Sequence, residues 1–211
     1  MRLGVLVSGG GTNLQAILDA VRDGRLAAEV ALVLSDRPGV QALERAAAAA
    51  VPTVVLRAGD YPDRDAFSAA VAAALQAHCV ELVVLAGYLK ILTAPAMSAF
   101  AGRIVNTHPA LLPSFGGRGM YGLAVHEAVL AHGCKVSGCT VHYVDESVDG
   151  GPIIEQVAVP VADDDTPQTL QARILPHEHA ALVRVIGALA AGRVRCDGRR
   201  VTIERVEEVT A

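Results

Sequence analysis

Tryptophan is absent from the sequence, and aromatic residues make up only 3% of its 211 positions, although hydrophobic residues reach 52%. With so few rings, the core must be built from Ala, Val, Leu and Ile, and such side chains favour helices packed closely on a parallel sheet. Basic runs are missing too. The net charge is −4, the pI is near 5.9, and no stretch is rich in Lys or Arg, so the electrostatic footprint of a nucleic-acid binder is lacking. No apolar stretch reaches the ~18–20 residues that a membrane span requires. Met1-Arg2-Leu3-Gly4 leads straight into a strand-like run, without the layout of a secretory signal. The expectation is a cytoplasmic protein with no nucleic-acid or membrane partner. Cysteines are few: Cys79, Cys134, Cys139 and Cys196 lack the close pairs of a zinc site or disulfide framework, and the expectation is free buried thiols. His177-Glu178-His179 looks ligand-like, but on a helix its two imidazoles point about 200° apart. No metal is expected.

What is present is a regular alternation. Strand-like runs over residues 3–7, 29–34, 53–56, 82–86 and 103–106 alternate through most of the first half with helical stretches over 12–22, 40–50 and 63–78. Continuous apolar strands joined by crossover helices predict an α/β fold, a Rossmann-like, mostly parallel sheet with helices on both faces. After a helix to about residue 132 the pattern changes. Two longer β segments, 136–144 and 153–161, flank a turn-rich stretch and should pair antiparallel. Asp165-Thr166-Pro167 carries the signals of a helix start and opens a long helix to about residue 191. Residues 194–206 read as a hairpin turning at Asp197-Gly198. The length suits one domain, and a homodimer is compatible with the sequence.

Three polar groups stand where chemistry is expected. Asn106-Thr107-His108 closes an apolar run, and Asp149-Gly150-Gly151 follows about forty residues later. A carboxamide can donate to a developing oxyanion, an imidazole can move a proton near neutral pH, and a carboxylate can hold that imidazole protonated or order a water. Singly, each has a plainer reading as a turn former or a core histidine; jointly they indicate acyl-type transfer. Ser8-Gly9-Gly10-Gly11-Thr12-Asn13 lies between the first strand and the first helix. There, backbone amides and the donors of Thr12 and Asn13 suit a phosphate ester; the alternative is a tight turn. The loop lacks the Lys of a P-loop, and Leu14 stands where a dinucleotide fingerprint has its third glycine. A reductase with Asp36 on a ribose is the competing nucleotide reading. The apolar run Leu85 to Leu92 follows a buried strand and either walls a pocket or is ordinary core.

With these segments in order, the chain closely resembles the phosphoribosylglycinamide formyltransferases of purine biosynthesis. The matching stretches are Ser8 to Gln15 (Ser-Gly-Gly-Gly-Thr-Asn-Leu-Gln), Val83 to Leu92, Asn106 to Phe115 (Asn-Thr-His-Pro-Ala-Leu-Leu-Pro-Ser-Phe), Gly138 to Val144 and Val148 to Ile154. The resemblance implies a single formyltransferase domain over residues 1–211, with a phosphate- and nucleotide-binding half (1–100) and a catalytic and folate-binding half (101–211). It also implies transfer of a formyl group from the co-substrate 10-formyltetrahydrofolate to the amino group of glycinamide ribonucleotide, both small molecules. By the same resemblance, Gly11, Thr12 and Asn13 hold the phosphate and Glu178 contacts the ribose. Folate contacts fall to Arg64, Leu89, Lys90, Ile91, Leu92, Asn106, Val144 and Asp145, with Asn106, His108 and Asp149 as the catalytic trio. Three residues depart from the commonest family pattern: Thr107, Ala110 and Lys90. The glycine-rich segment Gly116 to Gly122 also looks longer than in some relatives. Relatives that act on methionyl-tRNA or hydrolyse formyltetrahydrofolate carry extra domains that are not seen in these 211 residues.

Overall fold

The computed structural model describes residues 1–204, arranged around one seven-stranded sheet. Its strands are β1 (Arg2–Val7), β2 (Glu29–Ser35), β3 (Thr53–Val55), β4 (Leu82–Leu85), β5 (Ile104–His108), β6 (Val136–Tyr143) and β7 (Ile153–Pro160). The order is β3-β2-β1-β4-β5-β6-β7, parallel from β3 through β5 and antiparallel from β5 onward. The chain runs outward from β1 to β3 and then returns to place β4 against the other side of β1. Right-handed crossovers then put the helices before and after this reversal on opposite faces.

Two cores result. On one face α1 (Thr12–Arg22) and α2 (Gln41–Ala48) join α5 (Leu123–Ala131) and the 24-residue α6 (Pro167–Ala190). Leu14, Ile17, Leu170, Ile174, Leu182 and Ile186 bury themselves there against Leu3, Val5 and Val84, and each large aliphatic side chain contributes roughly 1.5–3 kcal/mol on burial. On the other face α3 (Arg64–Ala77) and α4 (Ala94–Ala99) pack Phe67, Val71, Leu75, Ala96 and Phe100 on Leu6, Val83 and Ile104. Gly4 must lack a side chain because Leu75 Cδ2 would lie 2.4 Å from its Cβ.

Several boundaries differ from the sequence reading for physical reasons. β5 runs on to His108 because β6 pairs with it there, Asn106 opposite His142 and His108 opposite Thr140, so Asn106 and His108 lie within a strand. The short α4 and a single 3-10 turn at Ala58–Asp60 went unread, since neither is long enough to show a period. Thr166 caps α6 in a reciprocal pair with Thr169, and the helix continues through Pro176. The final hairpin pairs β8 (Val194–Asp197) with β9 (Arg200–Ile203), so the two loop residues are Gly198 and Arg199; positions 205 and 206 of the expected hairpin lie outside the described residues. The expectation of buried thiols needs correction as well. Only Cys139 is buried, Cys134 is half-buried, and Cys79 and Cys196 are exposed at a helix end and on the last hairpin; all four are free. No helix among the described residues is long and apolar enough to cross a membrane.

Candidate active site

The carboxyl end of β1 opens into the glycine loop, which α2 holds in place. Ala42 N–H donates to the Gly9 carbonyl (3.2 Å), and Arg45 Nε donates to that of Gly10 (2.8 Å). Gly11 takes φ +71, and a Cβ there would lie 2.6 Å from that of Ala42. Only glycine satisfies both constraints. Asn13, the second residue of α1, is buried and points across to α6, where its Nδ2 donates to Glu178 Oε1 at 2.7 Å. Burial pushes the Glu178 carboxyl above its ordinary range, with Asn13 and Thr107 opposing the shift. One N–H of Asn13 is therefore committed to Glu178, and the donors left at this helix start are its second N–H, the first amides of α1 and the exposed Thr12.

The two-residue period of β5 turns Asn106 and His108 to one face and Thr107 to the α6 face. Asn106 Nδ2 sits 3.1 Å from His142 Nε2, while His142 Nδ1 lies 2.8 Å from the Tyr143 carbonyl. A carbonyl can only accept, so Nδ1 carries the proton and Nε2 accepts from Asn106. Burial lowers the pKa of His142, in keeping with that neutral tautomer, and the nearby Asp149 pulls the other way. One N–H of Asn106 is thereby fixed and the other is left to donate. His108 is 4% exposed; its Nε2 donates to the Phe115 carbonyl (2.8 Å), and its Nδ1 stands 3.7 Å from Asp149 Oδ2. Asp149 lies on the β6–β7 loop at φ +56, with Oδ2 accepting from Gly117 N–H (2.9 Å) and Oδ1 3.9 Å from His142 Nε2.

These groups border a cavity of about 410 Å³, in the size range of small-molecule sites. Asn13 and Glu178 line it, as do Asn106, His142, Asp149 and His126. The run Leu89, Lys90, Ile91 and Leu92 forms one wall, and Val144 and Asp145 belong to another. Leu89, Ile91, Tyr121 and Val148 are exposed apolar side chains in the same lining, a surface suited to a flat heteroaromatic ligand. Glycines 117, 119 and 122 also line the cavity, so the glycine-rich segment is part of its wall. The structure thus brings together ten of the residues singled out from sequence. It leaves four outside the lining. His108 lies against Asp149, Gly11 sits in the loop, and Thr12 faces a separate groove with Gln15, Arg45 and His179. Arg64 is exposed at the start of α3, where its carbonyl accepts from Thr93 Oγ1 at 3.4 Å.

Three contributors were missed in the sequence. His142 and the fully buried His126, whose ring nitrogens both lack partners, are polar residues inside apolar periods, and that was the available signal. Thr140 has a different part: its hydroxyl donates to the Ala110 carbonyl and accepts from Leu112 N–H and Gln156 Nε2, which fixes the turn after His108. The competing ribose reading of Asp36 loses its footing. That side chain is 1% exposed and lies between the cations of Arg37 (3.4 Å) and Lys90 (3.9 Å). His177, Glu178 and His179 face different surroundings, exposed, buried and half-buried in turn.

Comparison with known proteins adds a family. The model for formyl transferases matches residues 1–186. A phosphoribosylglycinamide formyltransferase from Mycobacterium tuberculosis is 46% identical over 208 residues, 96% of this chain and 94% of that protein. The trifunctional purine biosynthetic protein adenosine-3 of Drosophila pseudoobscura pseudoobscura is 44% identical over 92% of this chain, which spans only 14% of that much longer protein. The crystal structure of glycinamide ribonucleotide transformylase 1 from Symbiobacterium toebii superposes with a TM-score of 0.92 at 50% identity, covering 96% of this chain and 93% of the other. On the match over most of its length, and with the same architecture, the chain belongs to the formyl transferase family.

Proposed function

We propose that the chain transfers the formyl group of 10-formyltetrahydrofolate to the amino group of glycinamide ribonucleotide, giving formylglycinamide ribonucleotide and tetrahydrofolate in purine biosynthesis. The observation that carries this reading is the meeting of Asn106 and Asp149, backed by His108, at a cavity that also holds the buried Asn13–Glu178 pair and an apolar wall. Gly11, Thr12, Asn13 and the first amides of α1 take the phosphate, since unpaired N–H groups and the helix dipole favour an anion. Glu178 accepts from ribose hydroxyls. The folate lies along Leu89, Lys90, Ile91 and Leu92 and against Val144 and Asp145, with Arg64 on its outer end. On this reading residues 1–100 supply the phosphate contacts and one wall of the folate site, and residues 101–211 the catalytic groups and the other folate contacts. The setting is cytoplasmic, the partners are these two small molecules, and the chemistry uses residues of one chain and no metal.

In the transfer, the substrate amine attacks the formyl carbon and the carbonyl oxygen becomes an oxyanion. The free N–H of Asn106 donates to that oxygen, and His108, its Nε2–H committed to the Phe115 carbonyl, works through the Nδ1 that faces Asp149. Asp149 faces His108 Nδ1 and, through water, passes a proton from the attacking amine to the leaving folate nitrogen. Following the absorbance of a 10-formylfolate analogue with and without glycinamide ribonucleotide tests the reading. Deformylation that requires the ribonucleotide, with formylglycinamide ribonucleotide as product, is the expected result. Release of formate without the acceptor would make the protein a hydrolase, and no change in either case would make it a binding protein.

A further inference from the structure

The β8–β9 hairpin lies some fifty residues beyond Asp149 in the chain, yet it touches the loop that carries this carboxylate. Val194, Val201 and Ile203 seat the hairpin on the core beneath α6. At its open end, Glu204 N–H donates to the Arg193 carbonyl, and Arg193 Nη1 returns a bond to the Glu204 carbonyl. Both anchors fix the position of the tip. Arg199 stands at that tip, and its Nη2 donates to the Gly150 carbonyl at 2.8 Å.

Gly150 follows Asp149 directly, and the segment around it holds itself poorly. Asp149 occupies the left-handed region at φ +56 without being glycine, a conformation that costs on the order of 1 kcal/mol and persists only where neighbours impose it. Inside the loop, Gly150 N–H reaches the Ser147 carbonyl at only 3.5 Å, and Ser147 is turned toward Asp145. Among the described residues, two hydrogen bonds reach residues 146–151 from elsewhere in the chain: Gly117 N–H to the Asp149 carboxylate, and Arg199 to the Gly150 carbonyl. The first holds the side chain and the second holds the backbone that aims it.

We propose that Arg199 is a positioning residue for Asp149, so that the last hairpin sets the catalytic carboxylate against His108. This rests on the reading of Asp149 as catalytic. A purely structural arginine at an exposed turn would act on stability alone, and the two roles separate in a double-mutant cycle measured on the full chain. Arg199→Met keeps the length of the side chain and removes its donors. It should lower kcat about three- to tenfold, the scale of one intramolecular hydrogen bond, while both KM values stay at those of the parent and the melting temperature falls by no more than a few degrees. Combined with Asp149→Asn, it should slow the enzyme no further than Asp149→Asn does by itself, because an arginine acting through Asp149 has nothing left to position. Effects that multiply in the double variant would overturn the proposal, as would parental kcat in Arg199→Met alongside a slow Asp149→Asn. A different failure is distinguishable: if Asp149→Asn turns over like the parent, the catalytic reading of Asp149 falls and takes the positioning role with it.

Discussion

The glycine loop after β1 and the loop between β6 and β7 both bring polar groups toward the same cavity, but they are held in contrasting ways. The first is built into the fold: α2 binds two of its carbonyls, Ala42 fills the space beside Gly11, and Asn13 is tied to α6 through Glu178. The second loop carries Asp149 in a left-handed conformation and receives two hydrogen bonds from elsewhere among the described residues. On the proposed function, a cradle for a fixed anion can be part of the core, whereas a carboxylate that works on a proton is aimed by a few weak contacts. Damage to the first loop should therefore read out as lost stability, and damage around the second as lost turnover.

The sharpest way to break this contrast lies at the proposed catalytic end. His108→Ala should keep the fold and reduce kcat by roughly a hundred- to ten-thousandfold, the usual contribution of a general acid-base group; near-parental turnover in a folded variant would remove it from the mechanism. Asp149→Asn should cost turnover without lowering the melting temperature. It should also move the already depressed titration of His142 further down, because the Asp149 charge is one of the influences that raises it. NMR titration of that ring checks the sign, and an unmoved resonance would place Asp149 outside its reach.

At the cradle, Gly11→Ala must adopt an unfavourable positive φ and push against Ala42, at a cost of about 1–3 kcal/mol. Thermal unfolding should show the loss, and calorimetry should show glycinamide ribonucleotide binding weakened more than folate binding. Stability unchanged from the parent would mean the loop is looser than its contacts indicate.

A subtler effect is expected at Glu178. Its pKa is raised in the folded chain, so below the ordinary carboxylate range the folded and unfolded forms both hold the proton and no penalty arises. As pH rises through that range toward the folded value, the unfolded chain releases its proton first, and stability falls. Glu178→Gln keeps an acceptor for Asn13 and removes the penalty. It should melt higher than the parent at neutral pH, match it in acid, and bind the ribonucleotide less well; a parallel offset at every pH would contradict the linkage.

The smallest change is expected from thiol chemistry. Burial pushes Cys139 up to about 12, so an alkylating reagent at mildly alkaline pH should label Cys79 and Cys196, spare Cys139 and leave turnover unaltered. Labelling of Cys139 detected by mass spectrometry would show that the core beneath α6 opens.

Much of this arrangement was legible in the amino-acid order. The alternation that marks β1 through β4 and their helices arises from local periods, and the run 136–161 announced its antiparallel pair through the turn-rich stretch between two β segments. Asn106 and Asp149 stood out because polar side chains interrupt apolar or glycine-rich context, and both line the cavity. His142 went unread as part of the site although it lies in a quoted motif, because its role depends on which residue faces it. Only the β5–β6 register places its ring against Asn106. Arg64 was carried over from resemblance alone, and it stands at the start of α3, outside the cavity lining.

Sequence by itself determined what depends on neighbours along the chain: the α/β class, the glycine turn before α1, the capped start of α6 and the chemical types available for catalysis. Periods, caps and positive-φ positions are local properties, and they are written in consecutive residues. Tertiary structure alone decided which of those groups meet. The strand order that returns β4 to the side of β1, the antiparallel pairing that extends β5 through His108, the burial that raises the Glu178 carboxyl and the contact of Arg199 with the Gly150 carbonyl all join residues far apart in the chain. Such contacts form only when the large free energy of burying the two cores offsets the entropy of closing long loops, and no short window of sequence records that balance.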